Sequence, residues 1–178
     1  YITYEIITPL FSDYAYKHRS IYIPESKKIL YNDRDVLEFP IGTIISKTFY
    51  YPNNFNDINA GINLKETRIL IHQKNGWIGL PYIWNDNQTE AYLEIAGGIK
   101  EASWIDNKGN MQSINYMIPN MNQCKGCHVN SGVFKPIGLT ARQLNMKYDG
   151  IDNQLVKWQK IGILEGMSNY NVIPKIAK

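Results

Sequence analysis

The chain has 178 residues, 44% of them hydrophobic and 20% charged, with a formal charge of +3. That length holds one domain with a substantial core, and the balance is that of a globular chain, not a disordered or fibrous one. The charge is too mild and too scattered for a nucleic-acid surface, two cysteines cannot frame a disulfide-rich fold, and no run of about eighteen apolar residues predicts a membrane span.

Residues 4–22 carry Pro9, Ser12 and Asp13 and then a basic cluster at Lys17, His18 and Arg19. They read as an irregular lead-in to a strand near 20–23. From 43 to about 117 the signal is β. Residues 43–51 and 67–73 are rich in β-branched and aromatic side chains. Lys74-Asn75-Gly76 predicts a hairpin onto a return strand over 77–84, because Asn-Gly tolerates the positive φ angles of a tight turn. Pro81 inside that strand predicts an edge or a bulge, since proline cannot donate to a ladder. A further strand is expected over 89–96, turned at Gly97-Gly98. Strands over 102–105 and 113–117 flank the turn-rich residues 106–110. This spacing suits an antiparallel sheet, a sandwich or an open barrel.

After Pro119 the pattern changes. Asn122 is the expected cap of a short helix carrying both cysteines. Leu139, Leu144 and Met146, with Arg142 and Lys147, predict a helix over 139–147. Leu155, Val156, Trp158 and Ile161 predict another over 153–163, capped by Asn153 and ended by Gly162 and Gly166.

Cys124-Lys125-Gly126-Cys127-His128 carries the chemistry. Two thiols with two residues between them on a helical turn can add across the two vinyl groups of one porphyrin. The histidine that follows turns its imidazole toward the iron. Both cysteines of the chain, and one of its three histidines, belong to this motif. The competing patterns lack their partners: a thioredoxin-like pair wants a βαβ unit, and a structural zinc site wants a second ligand pair. A plain structural cysteine pair is the bland alternative. The sequence therefore predicts one covalent haem c on Cys124 and Cys127, with His128 as proximal iron ligand. The expected fold is α+β: an antiparallel β body over residues 1–118 and a small C-terminal helical c-type haem lobe over 119–178, in one compact unit.

Supporting residues follow from haem chemistry. His128 needs an acceptor for its second ring N–H, and the carbonyl of Pro136 or Ile137 is the expected one. Pro136 as a simple break between two segments is the alternative. For the sixth iron position the leading candidate is Met167, in a loop bounded by Gly166. Met146, His72, His18 or no protein ligand are the alternatives; Met111, Met117 and Met121 are further methionines. Arg142 is the expected partner of a haem propionate, since its fork suits a carboxylate, with Lys135 and Trp158 nearby. A solvated helix-face arginine is the plain reading.

Several stretches carry a resemblance. They include Thr8-Pro9-Leu10-Phe11-Ser12-Asp13-Tyr14-Ala15, Phe39-Pro40-Ile41-Gly42-Thr43, Glu66-Thr67-Arg68, Gly76-Trp77 and Tyr82-Ile83-Trp84-Asn85 with Gln88-Thr89-Glu90-Ala91. Pro119-Asn120-Met121-Asn122-Gln123 before the haem motif, Ile137-Gly138 and Ala141-Arg142-Gln143-Leu144-Asn145 close the set. Through them the chain resembles a largely uncharacterised family of bacterial secreted c-type cytochromes, mostly longer diheme proteins. The resemblance implies a periplasmic or extracellular location and a precursor with a signal segment. Family members often carry a second Cys-x-x-Cys-His further on. Its absence here implies a one-haem form or a piece of a longer product.

The expected function is electron transfer outside the cytoplasm by a monohaem c-type cytochrome, more an electron carrier than an enzyme. Its expected partners are redox proteins, among them other cytochromes or neighbouring copies of the chain, with no nucleic acid and no membrane span. The alternatives are a haem enzyme or gas sensor with an open iron position, peroxidase-like, using His72 or His18 as distal group, or a module that docks a partner or glycan with the haem as passenger. Trp77, Trp84 and Trp104 would line such a docking surface, although sheet core is the commoner place for them.

Overall fold

The structure, a computed structural model, describes residues 1–130, 132–148 and 152–176, with all their side chains except those of Cys124, Lys125, Cys127 and Asn130. In chain order the first elements are strands β1 (Ile2–Thr3), β2 (Tyr16–Tyr22), β3 (Ile29–Leu30), β4 (Ile44–Pro52), β5 (Ile62–Gln73), β6 (Gly76–Trp84), β7 (Ala91–Leu93), β8 (Gly98–Ile105) and β9 (Met111–Ile118). Helix α1 (Met121–His128), β10 (Val129–Asn130), β11 (Val133–Phe134), α2 (Ala141–Leu144), β12 (Lys147–Tyr148), β13 (Asp152–Asn153), α3 (Gln154–Lys160) and β14 (Leu164–Glu165) follow, and short 3-10 turns lie at Ile58–Ala60 and Tyr170–Val172.

Six strands form one antiparallel sheet in the order β1-β2-β4-β5-β6-β7. Side chains alternate across a strand, so aligned residues of neighbouring strands share a face. On one face the register lines up three successive rows. Lys17, Phe49, Glu66 and Ile83 form the first, Arg19, Lys47, Arg68 and Pro81 the second, and Ile21, Ile45, Leu70 and Gly79 the third. Phe49 faces Glu66 and Tyr50 faces Leu64, so β5 carries a bulge beyond the first row, with Lys65 as its extra residue.

Two separate cores cover this face. The β8–β9 hairpin lays Ala102, Trp104, Tyr116 and Ile118 against Phe49 and Tyr51. The C-terminal segment lays Leu139, Leu144, Leu155 and Trp158 against Ile21, Ile45 and Leu70. The second row, with its three cations, runs along the seam between the cores.

Most strand expectations match the elements. The hairpin falls at Lys74 and Asn75, with Gln73 opposite Gly76, and Gly76 takes a φ of +106°. β7 pairs with Tyr82, Ile83 and Trp84 and ends at Leu93; beyond it the Glu94 amide donates to the Pro81 carbonyl at 3.0 Å, so Pro81 stands at the last outer pairing of β6, where its missing N–H interrupts no continuing ladder. Gly97 has a φ of +74°, and a Cβ there would stand 2.5 Å from the Ile118 carbonyl oxygen; only glycine closes that turn. The strand expected over 89–96 shrinks to β7, and β2 begins earlier than 20.

The expected α+β class with a helical haem lobe is overturned. Strand makes up 43% of the chain and helix 13%, so the molecule is a mostly antiparallel β protein. Residues 119–178 interrupt helices of eight, four and seven residues with two-residue strand ladders, β10–β11 and β12–β13. The helix expected over 139–147 is a single turn, because Asn145 leaves helical geometry and gives its side-chain amide to the carbonyls of Ile173 and Pro174. Such local side-chain bonds compete with helix propagation. α3 does form, with Asn153 accepting from the Leu155 amide as its cap. β14 pairs in parallel with β3, fastening Leu164 beside Ile29. Among the described residues no helix is long and apolar enough to cross a membrane.

Candidate functional site

α1 carries the whole motif. Its cap is Asn120, not Asn122 as expected. The Asn120 side chain accepts from the Gln123 amide at 2.9 Å, and the Gln123 side chain accepts from the Asn120 amide at 2.8 Å. This reciprocal box satisfies two orphan amides at the start of a helix. The Met121 amide donates to the Ile95 carbonyl, fixing the entry to the helix beside the main sheet. Cys124 and Cys127 lie on successive turns of α1; their side chains, on which the thioether expectation falls, lie outside the described residues. His128 ends the helix, four positions after Cys124 and therefore on the same flank.

The chain then doubles back through β10 and β11 and locks the histidine ring. The Lys135 amide donates to the His128 carbonyl at 2.8 Å, and His128 Nδ1 lies 3.0 Å from the Lys135 carbonyl oxygen. A carbonyl only accepts, so Nδ1 carries the hydrogen and Nε2 keeps the lone pair that an iron needs. The expected acceptor was the carbonyl of Pro136 or Ile137; it is one residue earlier. The reason is the turn at Pro136. The Ile137 amide also donates to the Lys135 oxygen, at 2.9 Å, making a three-residue turn whose central φ suits proline's ring. Pro136 thus aims the carbonyl that precedes it. The Phe134 ring meets the imidazole edge-on at 5.5 Å, and Lys135 Nζ binds Asp35 at 2.6 Å. Burial holds the His128 pKa below its ordinary value, and the charges of Lys47 and Arg68 push the same way against the Lys135 hydrogen bond. The neutral imidazole that results is the form that ligates metals.

His128 faces the seam of the sheet. Two adjoining chambers of about 50 Å³ each share His128, Ile45, Lys47 and Leu70 in their walls. Arg68, Gly79, Leu80, Pro119 and Gln123 complete the first chamber. Tyr4, Ile6, Arg19, Pro136, Gly138 and Leu139 complete the second. In donor chemistry the residues fit a haem: an imidazole with its tautomer fixed, apolar walls and cations for two carboxylates. In volume the chambers are far below the roughly 300–1,000 Å³ of a small-molecule site, so a macrocycle enters only by parting α1 from the sheet.

The remaining candidates stand elsewhere. Met167 is buried in the C-terminal core beside Leu155 and Trp158, and its carbonyl accepts from Gln159. His72 stacks on Trp77 with the rings 5° from parallel and 4.6 Å apart, and its Nδ1 is 2.9 Å from the Phe39 carbonyl oxygen. His18 is exposed on the opposite face of β2 from Arg19. Met146 is half-buried between α2 and β12, and Met111 and Met117 are exposed on β9. Neither chamber is lined by a methionine or a second histidine. Arg142 is exposed and reaches the Arg34 carbonyl, away from the chambers. Trp104 is core, as the commoner reading has it; Trp84 gives its N–H to Thr67. Among the described residues no group of three His, Cys, Asp or Glu side chains is placed to hold a metal ion.

The cations of the second row were missed. The signal was present: in Ile45-Ser46-Lys47-Thr48-Phe49 the strand period sets Lys47 on the same face as Ile45 and Phe49. Comparison with protein-family models, curated proteins and solved structures finds no match in any of the three.

Proposed function

We propose that the chain is a monohaem c-type cytochrome that carries electrons outside the cytoplasm, exchanging them with redox partner proteins. One observation carries this reading. The histidine of the Cys-x-x-Cys-His motif has its Nδ1 proton held by a backbone carbonyl and presents its other nitrogen in an apolar cleft. A structural cysteine pair has no use for an oriented, neutral imidazole, whereas an axial ligand needs one. When bound, the haem supplies the one-electron couple. The chain's own residues do the rest. Cys124 and Cys127 tether the group, His128 ligates, the Lys135 carbonyl tunes the basicity of the ring, and Ile45, Leu70 and Leu80 keep water from it. As the resemblance to secreted cytochromes implies, the tether is made after export.

The test is to export the chain behind a signal segment together with a c-type maturation system. The expected product keeps its haem after denaturation, weighs the polypeptide plus one haem, and loses both properties when Cys124→Ala and Cys127→Ala are combined. Haem that extracts into acidified organic solvent, or a wild-type chain that takes none, refutes the proposal.

A further inference from the structure

Arg19, Lys47 and Arg68 stand directly opposite one another on three neighbouring strands. Like charges in facing positions of a sheet are destabilising, so this row costs the fold something unless each charge is answered. Two are answered within the chain. Arg19 pairs with Glu5 at 2.7 Å. Arg68 grips the fully buried Glu66 with two nitrogens, at 2.8 Å and 2.5 Å. Lys47, in the middle, has no hydrogen bond or ion pair among the described residues. Its ammonium lies over the Phe49 ring, 5.5 Å from the centroid, where Arg68 already sits closer at 4.4 Å. It is also the cation that walls both chambers beside His128.

We propose that Lys47 receives a carboxylate of the group held at His128, which on the cytochrome reading above is a haem propionate. This inference rests on that reading. A haem is apolar except for two carboxylates on one edge. The cleft has the matching polarity, with Ile45, Leu70, Gly79 and Leu80 around a row of cations whose central member makes no ion pair among the described residues. Lys47 is a positioning residue: it holds the macrocycle's polar edge and leaves the iron to His128. Arg142, the propionate partner expected from sequence, lies outside the cleft.

The test compares Lys47→Gln and Lys47→Arg in the haem-loaded protein and in the haem-free chain. In the haem-free chain, Lys47→Gln relieves repulsion and raises the denaturant midpoint. In the loaded protein it removes an ion pair and lowers the midpoint. The ratio of ferrous to ferric protein at a fixed applied potential then falls about tenfold, because a positive charge near the iron favours the ferrous state. The propionate bands of the resonance Raman spectrum move, and Lys47→Arg restores them. A shift of the same sign in both forms means a merely structural lysine and overturns the inference. So does an unchanged reduction equilibrium. A change of spin state in Lys47→Gln assigns the amine to the iron and overturns it as well. Absence of thioether-bound haem in the wild type is a separate result, which refutes the cytochrome reading itself.

Discussion

The Lys135 carbonyl oxygen accepts two hydrogen bonds at once, from His128 Nδ1 at 3.0 Å and from the Ile137 amide at 2.9 Å. The second bond bends the chain at Pro136 and so aims the first. The orientation of the imidazole therefore depends on a residue that makes neither bond.

Pro136→Ala tests that dependence. Releasing the ring constraint enlarges the unfolded ensemble, and the haem-free chain should lose about 0.4–1 kcal/mol in urea unfolding. In the loaded protein the weaker Nδ1–H···O bond makes the imidazole a poorer donor, so the reduction potential should rise. A potential equal to the wild type's would show that the turn does not govern the ring.

The capping box of α1 should matter for maturation as well as for stability. Asn120→Ala removes the side chain that satisfies the Gln123 amide and should cost about 0.5–2 kcal/mol, read from thermal unfolding. A frayed first turn presents the two cysteines less regularly, so the fraction of chains carrying covalent haem should fall too. Asn120→Asp, which keeps an acceptor, should behave nearly as wild type in both measurements.

Glu66 is the buried anion that answers Arg68, and Tyr116 donates to it at 2.6 Å. Removing the buried anion takes from Arg68 the carboxylate that two of its nitrogens hold. Glu66→Gln should therefore destabilise the haem-free chain by about 3–5 kcal/mol. Tyr116→Phe, which removes one hydrogen bond and no charge, should cost about 1–2 kcal/mol. Equal losses in the two variants would contradict the ion-pair account.

The haem-free chain should be most stable at about pH 10, at the top of a limb that rises from about pH 8. Burial, with Arg68, Arg19 and Lys17 close by and Glu66 opposing, pushes the Lys47 pKa down to about 8; burial and the neighbouring arginines push Lys17 down to about 8 as well. From there to the ordinary lysine value the unfolded chain binds more protons than the folded one, so stability rises with pH. Above the ordinary tyrosine value the sign reverses. Burial raises Tyr51 to about 12 and raises Tyr4 and Tyr116 further, so the unfolded chain sheds protons that the folded chain keeps. Chemical unfolding at a series of pH values checks both limbs, and Lys47→Gln should flatten the rising one.

The strands and the motif were legible in the sequence for different reasons. Alternation and turn chemistry are local, so residues 43–51, 67–73 and 77–84 declare themselves, and Cys-x-x-Cys-His is a spacing within a single helix. What failed was non-local. Asn145 looks like a helix residue until its amide meets the Ile173 and Pro174 carbonyls. Met167 looks like a free loop sulfur until Trp158 and Leu155 close over it. The cation row exists only once the register of β2, β4 and β5 brings Arg19, Lys47 and Arg68 abreast. Asn120 was a missed local signal: Asn-x-x-Gln before the helix is a capping box in plain sequence.

The parallel pairing of β14 with β3 sets an order of assembly. A chain that emerges N-terminus first presents Ile29 long before Leu164 exists to pair with it. The core that buries Ile21, Ile45 and Leu70 also waits for Leu155 and Trp158. Contacts so distant in sequence form slowly. Through that interval Cys124, Cys127 and His128 are already synthesised while the residues that complete the enclosing core are not. The topology therefore holds open a window in which a bulky planar group can reach the cleft from the side. Once Leu155 and Trp158 pack against that core, a macrocycle arriving afterwards has to part α1 from the sheet to enter.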